Sequence, residues 1–305
     1  MNARVEFNLA SLFSRKYQQV EIEFEPDHSV AWTYMKPVGT PCFNVGLLKE
    51  LRAHDEAVQA SGGILLDGTE LRQIHYYVVA SKIDGIFNLG GDLALFAQLV
   101  KLQDRDALIR YAKLCIDNMY ARICNYNGPM TTISLVQGEA LGGGFETVLS
   151  SNVIIAERRA RMGLPEILFN LFPGMGAYSL LARRIGVKGA EDMVLSGRIY
   201  SAEELLELGV VDVLAEDGAG HRAVHDFIRA NEKRRNGMQA VFQCRQEVAP
   251  ITYDQLMNIT NIWVDAAMRL QERDLKIMTR IARAQVRRID RDSVTAQSPL
   301  LSQVG

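Results

Sequence analysis

Two glycine clusters and two glutamates have residue types and spacing that could do chemistry. The clusters are Phe87-Asn88-Leu89-Gly90-Gly91-Asp92 and Gln137-Gly138-Glu139-Ala140-Leu141-Gly142-Gly143-Gly144-Phe145-Glu146. Glycine lets a backbone approach a ligand closely, and N–H groups at a helix start favour negative charge. Two such groups converging on one carbonyl oxygen stabilise an enolate or a tetrahedral oxyanion. Either cluster taken alone reads as a tight turn. Neither is a phosphate loop, because no Gly-Lys-Ser/Thr occurs in them and no Gly-x-Gly-x-x-Gly opens a βαβ unit.

Glu146 falls in the first turn of the helix that its glycines open. Glu166 follows Met162-Gly163-Leu164-Pro165 and is flanked by Ile167 and Leu168. A carboxylate in such apolar company is a poor fit to a solvated surface charge. Burial would raise its pKa and make it a usable proton shuttle. The competing reading is a helix-start glutamate favoured by the dipole alone.

Strand–turn–helix segments must position these groups. Val20 to Glu25 alternates apolar and acidic residues, Pro26-Asp27-His28-Ser29 supplies a turn, and Val30 to Met35 returns, so a hairpin is expected. Asn44 caps a helix carrying Leu47, Leu48, Leu51 and Val58, which Gly62-Gly63 ends. His75–Ala80, Thr132–Val136 and Val153–Ala156 read as buried strands; Asp92–Leu102 and Asp106–Ile123 read as helices. The alternation predicts an α/β core over residues 1–215. From about Asp217 the pattern turns helical, and residues 216–305 are expected to form a C-terminal helical region. There Leu256, Ile259, Trp263, Ala267 and Leu270 share a face, Ile277 and Ile281 extend it after a break near Asp274, and the last dozen residues read as a loose tail.

Taken in order, Gly-Gly-Asp, Ala-Leu-Gly-Gly-Gly-Phe-Glu, Gly-Leu-Pro-Glu and Phe172-Pro173-Gly174-Met175-Gly176 resemble the crotonase (enoyl-CoA hydratase/isomerase) superfamily. Ser196 to Leu205 and Leu208 to Asp212 also resemble that family, and the resemblance spans roughly residues 18 to 290. Within it, Phe87 to Phe96, Leu171 to Ser179 and Ile262-Trp263-Val264-Asp265 look like the diffusible signal factor synthases of bacterial quorum sensing.

The resemblance implies a spiral of ββα units with C-terminal helices used in trimer formation, as a homotrimer or a dimer of trimers. It implies Gly91 and Gly143 as the oxyanion-hole N–H donors, Gly90 as a substrate-binding residue beside them, and Glu146 and Glu166 as the acid/base carboxylates. It matches Met175, Trp263 and Ile281 to the acyl-tail pocket; ordinary core is their competing reading, and Leu141 and Leu171 read as packing. It further implies dehydration of a 3-hydroxyacyl chain on acyl carrier protein to the cis-2-enoyl thioester, hydrolysis of the thioester, and contact with the receiver domain of a sensor histidine kinase. Two departures stand against the acyl-CoA hydratases: Gly91 where these usually carry Ala, and Ala177-Tyr178-Ser179-Leu180-Leu181 where they carry Gly-Thr-Gln-Arg-Leu. The alternatives are an acyl-CoA hydratase or isomerase of the superfamily, and a non-catalytic crotonase fold that binds a regulator.

Composition sets the outer bounds. A formal charge of -2 gives no general attraction to nucleic acid or anionic lipid, and no apolar run reaches the ~20 residues that span a bilayer. The first 18 residues lack the apolar block of a signal peptide, so a cytoplasmic location is expected. Cys42, Cys115, Cys124 and Cys244 form no Cys-x-x-Cys pair and read as reduced, mostly buried thiols. His221 and His225 stand four apart without a His-Glu-x-x-His pattern, which reads as a solvated helix face and not a metal site. No cofactor or metal is expected. Lys233-Arg234-Arg235 and the stretch Arg280 to Arg291 read as solvated faces, with docking of an acidic carrier protein as the lesser reading.

Overall fold

The computed structural model describes residues 15–67 and 70–296, with side chains through residue 284. The expected loose tail beyond residue 296, and the side chains of the basic stretch beyond residue 284, lie outside the described residues. In chain order the elements are β1 Val20–Glu25, β2 Val30–Met35, α1 Val45–Ala60, β3 Ile64–Asp67, β4 Glu70–Gln73, β5 Tyr76–Ser81 and β6 Ile86–Asn88. Then come α2 Leu93–Lys101, α3 Arg105–Ile123, β7 Thr131–Val136, β8 Glu139–Leu141, α4 Gly143–Leu149, β9 Val153–Glu157 and β10 Arg161–Gly163. After a 3-10 turn at Pro165–Phe169 follow α5 Ala177–Ser196, β11 Ile199–Ser201, α6 Ala202–Glu207 and β12 Val213–Ala215. The chain continues with α7 Gly220–Asn231, α8 Arg235–Val248, α9 Tyr253–Ala267 and α10 Glu272–Ala296.

A six-stranded sheet runs in the order β1-β2-β5-β7-β9-β12, antiparallel only at β1–β2. A smaller four-stranded sheet runs β11-β10-β8-β6, with β6, β8 and β10 parallel. Three successive stretches repeat one plan: a long strand in the large sheet, a short strand in the small one, then a helix. They are β5-β6-α2, β7-β8-α4 and β9-β10-α5, with the 3-10 turn entering the last. This is the spiral of ββα units that the family resemblance implied. The large-sheet strands β2, β7 and β9 are buried along their whole length, as strands covered on both faces must be.

The helices after Asp217 divide between two places. Val224 and Ile228 of α7 pack on the large sheet with Trp32, Val78, Leu135 and Ile155. The helix α9 packs against α3, and α10 against α2 and the 3-10 turn. In α10 the buried side is Leu275 and Met278, while Ile277 is 41% exposed and does not continue the stripe. The break between Ala267 and Glu272 resets the helical phase, so counting through it places Ile277 on the wrong face.

His221 is exposed and His225 half-buried on their helix face. Both rings also lie beside Trp32, His221 meets the Tyr34 hydroxyl at 3.1 Å, and His225 meets Glu25 at 2.9 Å. Arg235 likewise turns to the His75 ring, at 2.6 Å. Of the free cysteines, Cys42 and Cys115 are buried, Cys124 is intermediate and Cys244 exposed. Among the described residues no helix is long and apolar enough to cross a membrane, and no cluster of three or more His, Cys, Asp or Glu could hold a metal.

Candidate active site

The parallel strands β6, β8 and β10 are neighbours in the small sheet, so their C-terminal ends deliver three loops to one place. Those loops carry Gly90-Gly91, Gly142-Gly143 and Glu166. They interlock at distances that only glycine permits. A Cβ on Gly90 would lie 2.7 Å from the Leu141 carbonyl oxygen, and one on Gly144 would lie 2.1 Å from that of Asn88. Gly142 adopts φ 52°, ψ -124°, and its N–H donates to the Gly163 carbonyl at 2.9 Å, tying the β8 loop to the β10 loop.

The Gly91 and Gly143 N–H groups are close together: a Cβ on Gly143 would lie 3.5 Å from the Gly91 nitrogen. The Gly143 N–H stands in the first turn of α4, where no intrahelical acceptor is available. Bonds on either side pass over Gly91. The Gly90 N–H donates to Asn88 Oδ1 at 2.8 Å, and the Asp92 N–H donates to the Tyr111 hydroxyl at 3.2 Å. The Tyr111 hydroxyl in turn donates to the Phe43 carbonyl. Asn88 and Tyr111 thus set the loop's shape, a role the residue types alone did not signal.

Glu146 is 1% exposed, and its Oε1 accepts the N–H groups of Met175 at 2.8 Å and Ala177 at 3.0 Å. Burial pushes its pKa up to about 7, although these two donors pull it down. Glu166 sits in the 3-10 turn, half-buried as a residue, with an Oε2 that is buried and has no hydrogen-bond partner among the described residues. Burial pushes its pKa up to about 8, and the Glu146 charge adds to the rise. Two carboxylates facing one low-dielectric space resist being ionised together.

A cavity of about 290 Å³ joins these groups. Its lining includes Gly90, Gly91, Gly143, Glu146, Glu166, Met175, Trp263 and Ile281, so every residue singled out from the sequence for catalysis or substrate binding reaches this one space. Leu141 and Leu171, read above as packing, also line it. Leu93, Phe96, Leu168, Phe169 and Ile199 complete an apolar wall, and Glu139 adds a third carboxylate at the edge of β8. Sequence reading passed over Glu139 and Ile199 because they sit in three-residue strands too short to show alternation. A second, more open groove of about 730 Å³ borders the cavity at Leu93, between Val38–Asn44, α2 and the Thr279–Arg283 segment of α10.

Comparison with known proteins fits this geometry. The family described as enoyl-CoA hydratase/isomerase matches residues 65–274. The chain belongs to that family, the crotonase superfamily. Among curated relatives it is 29% identical to the fatty acid oxidation complex subunit alpha of Pseudomonas syringae over 61% of this chain and 24% of that protein. It is 37% identical to the peroxisomal bifunctional enzyme of Danio rerio over 34% of this chain and 14% of that one. The chain thus spans about a quarter or less of these relatives' length. Solved structures with the same fold include the enoyl-CoA hydratase of Bacillus halodurans, with TM-score 0.71 and 21% identity over 86% of this chain and 99% of that one. DspI of Pseudomonas aeruginosa shares the fold at TM-score 0.64 and 24% identity, over 78% of this chain and 85% of that one.

Proposed function

We propose that this member of the family dehydrates a 3-hydroxyacyl thioester to the cis-2-enoyl thioester and then hydrolyses it to release a free unsaturated acid, the chemistry of a diffusible signal factor synthase. The observation that carries the reading is the pair of carboxylates with raised pKa, Glu146 buried and Glu166 with a buried Oε2, set beside two neighbouring glycine N–H groups in one apolar cavity.

The Gly91 and Gly143 N–H groups receive the thioester oxygen and stabilise the enolate. One ionised glutamate removes the α-proton, and the other, protonated, donates its proton to the departing 3-hydroxyl, which leaves as water. The pair starts and ends with one proton, transferred in effect from one carboxyl to the other. In hydrolysis, a water loses a proton to an ionised glutamate as its oxygen bonds the carbonyl carbon. The tetrahedral oxyanion rests on the same N–H groups, and the thiol leaves with a proton returned to its sulfur.

Met175, Trp263 and Ile281 line the space for the acyl tail, and the neighbouring groove suits the arm of the carrier. Acyl carrier protein is the proposed carrier, on the strength of the Phe87 to Phe96 and Leu171 to Ser179 segments. A second reading, an acyl-CoA hydratase or isomerase, is favoured by the similarity to the fatty acid oxidation subunit. Matched carrier-protein and CoA thioesters separate the two: efficient hydration of enoyl-CoA alone would sink the first. An assembly of three copies or two such trimers, and control by a kinase receiver domain, belong to the same proposal; native mass spectrometry and pull-down with a receiver domain test them.

A further inference from the structure

We infer that Asn170 and Asp274 form a positioning latch, in which one side-chain hydrogen bond ties the turn carrying Glu166 to the start of the C-terminal helix. The inference rests on the reading that Glu166 transfers a proton.

The two glutamates are held in different ways. Glu146 is clamped by two backbone donors, whereas no partner orients the buried Glu166 Oε2. The position of the Glu166 carboxylate is therefore inherited from the backbone of Pro165–Phe169. That turn has no side-chain cap at its start, and it ends on Asn170 with φ 62°, ψ 34°. There the Asn170 N–H donates to the Ile167 carbonyl at 3.0 Å, and the Leu171 N–H donates to that of Glu166 at 3.1 Å.

The left-handed conformation suits glycine best, and asparagine tolerates it. Asparagine adds an amide that glycine lacks, and Asn170 Nδ2 donates to Asp274 Oδ2 at 3.3 Å. Asp274 is 3% exposed, and the same oxygen accepts the Gln271 N–H at 2.9 Å; Oδ1 lies 3.4 Å from Arg273 Nε. One carboxylate thus closes the first turn of α10 and grips the end of the Glu166 turn. Downstream, α10 buries Leu275 and Met278, puts Ile281 in the cavity, and walls the adjoining groove with Thr279, Ala282 and Arg283. Docking of the helix that contacts both spaces is in this way linked to the placement of one carboxylate.

The test uses the full chain and exchanges the two groups. Asn170→Asp sets carboxylate against carboxylate, Asp274→Asn alone keeps an acceptor, and the double variant restores an amide–carboxylate pair in reverse. Turnover of an acyl thioester is measured against pH, with hydrogen exchange over residues 164–171 and 272–281. In Asn170→Asp, kcat should fall at least about tenfold. Both segments should lose protection together, and the double variant should recover rate and protection. Asn170→Gly keeps the backbone, drops only the amide and adds no charge, so the pH midpoint is read there: it should move lower as water reaches Glu166 while the chain stays folded, with Glu146 and Glu139, the charged groups sharing its cavity, unaltered. Wild-type rate and midpoint in Asn170→Gly, equal impairment of the single and double variants, or independent exchange in the two segments would overturn the latch. A wild-type chain without turnover on any acyl thioester overturns the reading beneath it, and the positioning role with it, whatever exchange shows.

Discussion

Replacing Gly142 with alanine separates backbone strain from damage to the site. Gly142 holds φ 52°, ψ -124°, which disfavours any residue with a Cβ. Such strain is of order 1–3 kcal/mol. The new methyl would also lie 2.5 Å from Glu166 Oε1, where ordinary contact begins near 3.4 Å. The oxygen is the tip of a side chain, so it should retreat by about 1 Å without unfolding the loop, and a misplacement of about 1 Å in a reacting group lowers turnover about 10²-fold. Gly209 supplies the control, with φ 75° and nothing within 4 Å of an added Cβ. Both variants should lose a few degrees of Tm, at roughly 1.5 °C per kcal/mol for a chain of this size. Only Gly142→Ala should lose turnover, in assays of acyl-thioester consumption on protein shown to be folded by circular dichroism. Wild-type turnover in Gly142→Ala, or an equal loss in Gly209→Ala, would refute the placement of Glu166 against this loop.

Stability should fall as pH rises from about 5 to 8. Glu146 and Glu166 have folded pKa values of about 7 and about 8, above the ordinary carboxylate range, so over this window the folded chain binds more protons than the unfolded one. Their stabilisation is complete below the unfolded pKa and is lost as pH passes the folded values; Asp55, raised by burial to about 6, adds to the lower part of the slope. Thermal melts should show a declining Tm that flattens between pH 6.5 and 8 in Glu146→Gln/Glu166→Gln, and an unchanged slope in the double variant would contradict the assignment. Trp263→Ala should be destabilised by about 3–5 kcal/mol in denaturant, because this 3% exposed ring packs against Gly174 and the edge of Phe96. The same variant should process longer acyl chains relative to short ones, and an unshifted chain-length profile would remove Trp263 from the tail pocket.

Much of the scaffold was legible because its signals are local. The cap at Asn44 bonds the N–H group of Leu47, three residues on. The long strands announced themselves by apolar runs. The small sheet was not legible, since β6, β8 and β10 are three residues each and their pairing depends on the spiral. The β3–β4 hairpin was also missed, although Asp67-Gly68 is a turn signal in the sequence. For the site, residue order located the glycines and glutamates, but not what supports them. The grip of Met175 and Ala177 on Glu146 and the Asn170–Asp274 bond are contacts between segments far apart in sequence, and the unpartnered Oε2 of Glu166 likewise depends on the assembled site. Leu141 and Leu171 show the limit from the other side: an apolar residue reads as packing whether it faces another core side chain or a substrate cavity.

Glu146 and Glu166 are proposed to work together on an acyl thioester. The decisive experiment is mass spectrometry of the fatty acids released by cells expressing the chain, beside Glu146→Ala/Glu166→Ala at matched protein levels. A cis-2-unsaturated free acid should be released by the wild type and lost in the double variant. The same acid at the same yield from both, or none from either, would overturn the joint role of the two glutamates.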